Sequence, residues 1–297
     1  MTGLRIATRG SAQARTQSEV VAALLRANHP GLDVELVLVE TTGDRRQDVP
    51  LHVIGGQGVF VKEVQQAVLD GRADVAVHSA KDLPSAPTPG LVIGAFGERR
   101  DPRDALIGCM LNDLPEGATV ATGSVRRRAQ LSALRPDLQF TELRGNIHTR
   151  LGKVPEGGAI VMAAAALEVL GITAQVAAAS PIDLMAVEAM VPQVGQGAVA
   201  VECASQAATT LALLAEIDDL PTRWAVECER AFLAELGSGC SLPVGAHAVV
   251  DGAGSVVLRA FLSGPGGVYE GVHEGPLDET SRWAAEAARL ASQAVGA

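Results

Sequence analysis

Short apolar runs rich in β-branched residues alternate along this chain with stretches in which apolar positions recur at helical spacing. Leu4–Thr8, Val34–Val39 and Leu91–Phe96 are predicted to be buried strands, because continuous apolar runs suit a sheet covered on both faces. Thr16–Leu25 and Val59–Leu69 are predicted to be helices between them. This alternation is typical of an α/β fold.

The same alternation restarts after a charged stretch. Glu98–Asp104 is dense in charge and contains a proline, so we place a domain crossing there. A second crossing at Met190–Gly197 is predicted to return the chain to the first domain. Two crossings between two α/β lobes predict a hinged cleft, as in binding proteins that close on a ligand. The elements predicted between the crossings are strands Thr119–Thr122, Gln139–Leu143 and Ala159–Met162, and helices Ser124–Leu134, Ile147–Lys153 and an alanine-rich helix ending at Leu170.

The remaining sequence predicts a third, smaller α+β domain. Its predicted elements are helix Thr222–Leu236, strands Val244–Val250 and Val256–Leu262, and a last helix from Glu279 to Val295. The predicted domains are residues 1–97 with 198–216, residues 98–197, and residues 217–297. In the first domain, Glu40–Gly58 lacks periodicity and is rich in glycine near its end, a pattern typical of either a lid or an unstructured loop.

Composition narrows the class of protein. The formal net charge of −10 and the 3% aromatic content argue against a nucleic-acid or anionic-membrane partner. No run of about 18 apolar residues is present to span a membrane. Because the chain starts directly with a predicted strand and lacks the pattern of a signal peptide, we expect a cytoplasmic protein.

The four cysteines lack the spacing of metal ligands, and no metal site is expected. Cys203 and Cys228 lie in apolar surroundings and are expected to be small buried hydrophobes. Cys240 differs, because it lies in the glycine-flanked loop Gly237–Pro243, where a thiol is accessible. It is either an incidental free thiol, a nucleophile, or an attachment point for a prosthetic group.

An acid and a base follow the apolar run Ala73–Val77. This run is predicted to be a buried strand, and Ser79, Lys81 and Asp82 come at its carboxyl end. Pro84 is expected to prevent any helix from forming there. Ligand crevices of open α/β sheets lie just beyond the carboxyl ends of strands, so these side chains are candidates for chemistry. The alternative is a turn in which Asp82 accepts backbone N–H bonds and Lys81 is solvated.

Arginines cluster where predicted strands lead into helices. Arg126, Arg127 and Arg128 fall in the first turn of a predicted helix, where the helix dipole disfavours cations. Arg144 and Arg150 flank the next such junction, and Arg9 a third. These arginines are either solvated or paired with acids such as Asp137 and Glu142, or they form a cleft for several anions. Small polycarboxylates or phosphates suit planar guanidinium groups.

Motifs in a fixed order over essentially the whole chain resemble those of porphobilinogen deaminases (hydroxymethylbilane synthases). The matching stretches are Arg5–Arg9, Gly58–Glu63, Val77–Pro84, Asp101–Ala105, Arg126–Arg127, Leu143–Leu151, Val194–Ala198 and Gly239–Gly245. The resemblance implies a monomeric enzyme of tetrapyrrole and haem biosynthesis with three domains, the first two similar to periplasmic binding proteins. It implies no nucleic-acid or membrane partner.

The resemblance also implies a reaction and a site. Four porphobilinogen molecules are condensed head to tail, with release of ammonia, onto a dipyrromethane cofactor held by a thioether to the loop cysteine, here Cys240. Asp82 would be the catalytic carboxylate. The residues implied to bind the cofactor are Lys81, Ser79, Thr122, Ser124, Arg126, Arg127 and Arg144, and those implied to bind substrate are Arg9, Ser11, Arg150 and Gln196.

Two positions depart from the family pattern. Val169 stands where the family usually has an arginine, and Gln57 where a lysine is common, so both remove positive charge from the expected cleft. An alternative function is therefore a non-catalytic two-lobe binder of an anionic ligand, an inactive paralogue. Retention of both Asp82 and Cys240 argues against that alternative.

Overall fold

The computed structural model describes residues 3–45, 58–237, 242–251 and 254–296. The expectations about Gln57 and Cys240 lie outside these ranges, as does most of the expected lid at Glu40–Gly58. Of that expected lid, Thr42–Arg45 forms one helical turn.

Strands and helices alternate through the first part of the chain, as the hydrophobic pattern predicts. In chain order the elements are β1 (Gly3–Arg9), α1 (Ala12–Asn28), β2 (Asp33–Val39), α2 (Thr42–Arg45), α3 (Lys62–Leu69), β3 (Val75–Ser79), β4 (Leu91–Phe96), β5 (Asp104–Ile107), β6 (Thr119–Ala121) and α4 (Val125–Leu134).

The alternation continues and then gives way to antiparallel strands. The later elements are β7 (Gln139–Thr141), α5 (Ile147–Leu151), β8 (Ala159–Ala163), α6 (Ala164–Val169), α7 (Thr173–Ala179), β9 (Ile182–Leu184), β10 (Val199–Ala204), α8 (Ala208–Ala215), α9 (Leu220–Glu235), β11 (Val244–Val250), β12 (Ser255–Gly264), β13 (Gly267–Pro276) and α10 (Thr280–Val295).

The first sheet has five strands in the order β2-β1-β3-β10-β4. β1 runs parallel to both β2 and β3, whereas β10 is antiparallel to its two neighbours. Leu4, Ile6, Val75 and Val77 belong to a core cluster that also includes apolar residues of α1. Because β1 and β3 are parallel neighbours, Arg9 and Ser79 lie at the same edge of the sheet, where ligands of α/β folds bind.

The second sheet repeats this arrangement in the order β7-β6-β8-β5-β9. β6 is parallel to β7 and β8, and β5 is antiparallel to β8 and β9. A third sheet of three antiparallel strands, β11-β12-β13, packs against α10, whose buried face is built from small alanines. The fold class is therefore as predicted, with two α/β lobes and a small C-terminal α+β domain.

Contacts within the chain define two compact units. The first consists of residues 1–99 and 198–226, and the second of residues 100–197 and 227–297. The change of unit after Arg99 lies within the first predicted crossing, Glu98–Asp104, and the change after Gly197 lies at the end of the second, Met190–Gly197. The three-domain boundaries remain a prediction.

Several elements are absent from the sequence prediction or differ from it. The prediction omits strands β5, β9, β10 and β13 and helices α2, α7 and α8. Residues 80–82 form a short 3₁₀ helix, so Pro84 limits the helical turn after β3 rather than preventing it. Within the described ranges, no helix is both long and apolar enough to cross a membrane.

Candidate functional site

Asp82 stands on a single 3₁₀ turn directly after the central strand β3. The turn is fixed by backbone bonds from Leu83 N to Ala80 O (3.2 Å) and from Ala80 N to Ala198 O (3.0 Å). The Asp82 side chain is half-buried, and within residues 3–45, 58–237, 242–251 and 254–296 nothing donates a hydrogen bond to its carboxylate. The described residues thus give no support to the alternative in which Asp82 accepts backbone N–H bonds in a turn.

Ser79 and Arg9 lie at the same edge of the first sheet. The Ser79 hydroxyl is 3.2 Å from both side-chain amide atoms of Gln17, which projects from α1. The Arg9 guanidinium carbon lies 4.0 Å from the centre of the Phe60 ring. Ser11 caps α1 by accepting a 3.3 Å hydrogen bond from Ala14 N. The first lobe therefore gathers a carboxylate, a guanidinium and two hydroxyls at the strand ends.

Arg126 and Arg127 share one buried carboxylate in the second lobe, that of Asp104. Arg127 donates to Asp104 Oδ1 from Nε (3.0 Å) and Nη2 (2.7 Å), and Arg126 Nη1 lies 2.7 Å from Asp104 Oδ2. Burial alone would raise the pKa of Asp104, but the two guanidinium groups hold that pKa well below its usual range. Asp104 is therefore ionised, and the three groups together carry a net positive charge.

Arg126 has donor capacity left over. Its Nη1 donates to Val191 O at 2.7 Å, but among the described residues its buried Nε and Nη2 atoms have no hydrogen-bond partner. A buried unpaired donor is costly, and a carboxylate would satisfy the guanidinium in bidentate fashion. Arg127, in contrast, is engaged with Asp104 and with Val161 O.

Gln196 belongs to the same buried cluster. Its side-chain nitrogen donates to Pro102 O (2.7 Å) and Asp104 Oδ1 (3.0 Å). The next residue, Gly197, has φ +90°, and a Cβ there would lie 2.5 Å from Arg100 O, so only glycine fits. The residue before Gln196 is also fixed, because Gly195 N donates to Glu229 Oε2 (2.7 Å). The other carboxylate oxygen, Glu229 Oε1, accepts from Ala248 N (2.8 Å). Glu229 is fully buried.

Thr122 and Ser124 shape the turn that leads into α4. Thr122 Oγ1 accepts from Ser124 N (3.2 Å), and Ser124 Oγ accepts from Arg127 N as the helix cap. Arg128 also contacts this turn, because its Nη2 donates to Thr122 O (3.1 Å) and to Glu142 Oε1 (2.6 Å). The sequence-based alternative, an arginine paired with Glu142, therefore applies to Arg128.

Arg144 precedes the short helix α5, Arg150 lies within its last turn, and both are half-buried. Arg150 Nε donates to Gly145 O (2.7 Å), and Lys153 Nζ donates to Arg144 O (3.0 Å). Val169, at the end of α6, is buried with 6% of its surface exposed. The assignments of the individual binding residues remain predictions.

Sequence analysis did not single out Asp104 or Glu229. One signal for Asp104 was available, because two adjacent arginines inside a folded lobe need a buried counter-charge. Asp104 lies in the charged stretch Asp101–Ala105 and begins strand β5, which sequence analysis did not predict. Cys203 and Cys228 are fully buried, as expected.

Known protein families and proteins match most of the chain. The family model described as "Porphobilinogen deaminase, dipyromethane cofactor binding domain" matches residues 4–212, and the model of the porphobilinogen deaminase C-terminal domain matches residues 224–288. A porphobilinogen deaminase of Nitratidesulfovibrio vulgaris is 46% identical over 268 residues, which is 89% of this chain and 83% of its own. The porphobilinogen deaminase of Brevibacillus brevis is 45% identical over 268 residues, which is 89% of this chain and 85% of its own. That of Acidothermus cellulolyticus is 48% identical over 273 residues, which is 89% of this chain and 80% of its own.

Proposed function

The chain belongs to the porphobilinogen deaminase family, and from that premise we propose that Asp82 is its catalytic carboxylate and that Cys240 carries its cofactor. It is a transferase that joins four porphobilinogen molecules head to tail, with release of ammonia, into linear hydroxymethylbilane. The cofactor of the family is a dipyrromethane.

Each addition breaks the C–N bond of an aminomethyl group, releases ammonia, and forms a C–C bond at a pyrrole carbon that then loses its proton. When bound, the dipyrromethane supplies the pyrrole that primes the chain. Positive charge develops on pyrrole nitrogen as the new bond forms. Asp82 stabilises that charge and relays protons, since a fixed carboxylate aimed at developing positive charge lowers the barrier.

The observation that best supports the role of Asp82 is its lack of a donor among the described residues, at the carboxyl end of β3. A carboxylate that is half-buried without a hydrogen bond in its own fold is free to serve a ligand. In the second lobe, Arg126 supports cofactor binding through its buried Nε and Nη2 atoms. Lys81, Ser79, Thr122, Ser124, Arg127 and Arg144 complete the proposed cofactor site, and Arg9, Ser11, Arg150 and Gln196 the substrate site.

We further propose that the enzyme is a cytoplasmic monomer. Cys109, Cys203 and Cys228 are free thiols, which suits a reducing compartment. Sedimentation of the purified chain tests the oligomeric state.

Intact-mass analysis of the purified chain, followed by peptide mapping, tests the proposed cofactor site. We expect an adduct of two linked pyrroles on Cys240 and none on the other cysteines. Cys240→Ala should yield a folded protein without the adduct. Active enzyme with unmodified Cys240 would overturn the assignment.

A further inference from the structure

Arg128 connects the ends of two neighbouring parallel strands in the second lobe. Its Nη2 atom donates to Thr122 O (3.1 Å), just beyond β6, and to Glu142 Oε1 (2.6 Å), just beyond β7. Its Nε atom donates to the same Thr122 oxygen (3.3 Å). Thr122 N donates to Thr141 O (2.9 Å), so the two strand ends are also joined through the backbone. These contacts lie at the carboxyl edge of the sheet, where ligands of α/β folds bind.

The acid that pairs with Arg128 also packs on the turn between β6 and α4. A Cβ placed on Gly123 would lie 3.1 Å from Glu142 Oε2, whereas Oε1 of the same carboxylate accepts from Arg128. One Glu142 oxygen therefore lies close to the turn backbone, and the other holds the arginine. Arg128 belongs to the start of α4, where the helix dipole disfavours a cation, and Glu142 offsets that cost. We refer to Arg128 and Glu142 as the turn clamp.

The turn that the clamp contacts has two hydroxyl protons to donate. Thr122 Oγ1 accepts from Ser124 N (3.2 Å), and Ser124 Oγ accepts from Arg127 N (3.4 Å). A hydroxyl that accepts one bond can still donate another, and in the described part of the chain neither O–H has an acceptor. Two residues beyond Ser124, the buried Nε and Nη2 atoms of Arg126 also have no partner among the described residues. Donors of both kinds suit the carboxylates of a ligand.

From these contacts we propose that Arg128 and Glu142 are positioning residues of the cofactor site. The turn clamp fixes the Thr122–Ser124 turn, so that both hydroxyls are in place before the dipyrromethane binds. Ordering a turn during binding costs free energy, and a turn that is already fixed avoids that cost. The clamp acts through the turn and not on the ligand itself. The inference rests on the proposed function, because it takes Thr122 and Ser124 to be cofactor-binding residues.

The rate of cofactor loading measures the effect of the turn clamp. Full-length chain produced in cells that cannot make porphobilinogen is incubated with porphobilinogen, and the adduct is followed by intact mass. Arg128→Ala and Glu142→Ala should each slow loading by about two- to tenfold, the range of one hydrogen bond. Glu142→Gln retains an acceptor for Arg128 and should load at the parent rate. Arg282→Ala removes an arginine from a different surface ion pair, with Glu279, and is the matched control.

Hydrogen exchange tests the turn clamp without relying on loading or turnover. In the full-length chain, before and after loading, mass spectrometry of the peptide that spans residues 119–128 includes the Ser124 amide. Glu142→Ala should raise the exchange rate in this peptide, because a looser turn opens more often, and Glu142→Gln should not. Glu142 lies 14 residues beyond Arg128 in sequence, so its effect reaches the peptide only through contacts in the fold. Unchanged exchange in Glu142→Ala would overturn the inference.

Double and turn variants separate this inference from the proposed function. If the two residues act as one clamp, Arg128→Ala with Glu142→Ala loads no more slowly than either single variant, and additive losses overturn the inference. Parent loading in Arg128→Ala, with slower loading in Thr122→Val, overturns the inference and leaves the proposed cofactor site intact. Parent loading in both Thr122→Val and Ser124→Ala removes the proposed roles of the two hydroxyls, and the inference falls with them.

Two further measurements distinguish positioning from other roles of Arg128. The melting temperature of Arg128→Ala should stay close to the parent value, and slower loading with a large drop in melting temperature would assign the pair a purely structural role. KM for porphobilinogen in the loaded variant should also stay at the parent value, because the clamp acts through the turn. A raised KM would place Arg128 against substrate and overturn the positioning role.

Discussion

Arg126 Nη1 lies 2.7 Å from Asp104 Oδ2, and the two side chains are 4% and 0% exposed. This pair and the neighbouring Arg127 occupy the start of α4 and the start of β5 in the second lobe. One anion thus holds two cations inside the lobe. Sequence analysis left open whether these arginines are solvated, paired with acids or lining a cleft for anions, and the structure shows Arg126 and Arg127 buried and paired with Asp104.

Asp104→Asn is expected to destabilise the chain strongly. The amide keeps the shape of the side chain but leaves Arg126 and Arg127 buried without a counter-charge, and breaking a buried pair costs about 3–5 kcal/mol. Urea unfolding of the two proteins measures the loss. Asp137→Asn is the matched control, because its pair with Arg135 lies nearer the surface and a much smaller loss is expected. Equal losses in the two variants would contradict the prediction.

The contribution of Asp104 and its two arginines to the free energy of unfolding depends on pH. Because the pKa of Asp104 is lowered by folding, its stabilising effect is complete above the ordinary aspartate pKa of about 3.9 and is lost as the pH falls toward the folded value. The difference in unfolding free energy between parent and Asp104→Asn should therefore be constant near neutral pH and narrow in acid. A difference that grows in acid would have the wrong sign.

Asp82→Asn should abolish most of the turnover while leaving the fold intact. Removing a preorganised electrostatic group typically costs about 10²–10³-fold in kcat, and we expect at least that loss. The melting temperature should change little, because the carboxylate has no donor within the described residues. Steady-state kinetics and thermal melts check both statements. Asp113→Asn, at an exposed position, is the control, and parental turnover in Asp82→Asn would contradict the catalytic assignment.

The missing arginine at Val169 can be tested with two variants. A charge-assisted contact is worth about 1.5–3 kcal/mol, so Val169→Arg is expected to lower KM for porphobilinogen. It should also lower stability, because Val169 is buried. Arg128→Ala is expected to leave KM unchanged, since the Arg128 charge is paired with Glu142. A severalfold rise of KM in Arg128→Ala would instead assign the missing role to Arg128, and no change in either variant would mean that Val169 does not face substrate.

Cys203 and Cys228 should resist alkylation in the folded protein. Burial, together with the neighbouring Glu202, raises the pKa of Cys203 to about 11, and burial likewise raises the pKa of Cys228. At pH 8 both are neutral thiols, and only the thiolate reacts. Iodoacetamide labelling and peptide mapping, in buffer and in urea, measure the protection. Rapid labelling of either cysteine in buffer would contradict it.

The local pattern of apolar and polar residues was sufficient to predict the strand and the helix that carry the candidate site residues. Strand β3 and the polar residues after it followed from an apolar run broken by Ser79, Lys81 and Asp82. The helix at α4 followed from its periodicity, and Ser124 caps it. Strand β13 was not predicted, because Gly267, Gly271 and Gly275 interrupt it and charged residues alternate with them. Those glycines leave room for aromatic neighbours, since Tyr269 lies against Gly271 and Trp283 against Gly275.

Which arginines contact a ligand could not be decided from sequence. Arg126, Arg127 and Arg128 are adjacent in the chain, yet they differ in their contacts. Arg127 is engaged with Asp104, Arg128 pairs with Glu142, and Arg126 has donors that no described residue satisfies. The distinction depends on acids and carbonyl groups that lie far away in sequence. Helical spacing gives only the direction of each side chain and not its partner.

The carboxylate of Glu229 limits how this chain can be shortened. Its two oxygens accept the amides of Gly195 and Ala248, which belong to the second crossing and to the strand β11. A truncated chain that ends before α9 would leave the Gly195 amide without its acceptor, next to Gln196. The C-terminal segment is therefore not a removable module, and any fragment made to isolate the second lobe should retain α9.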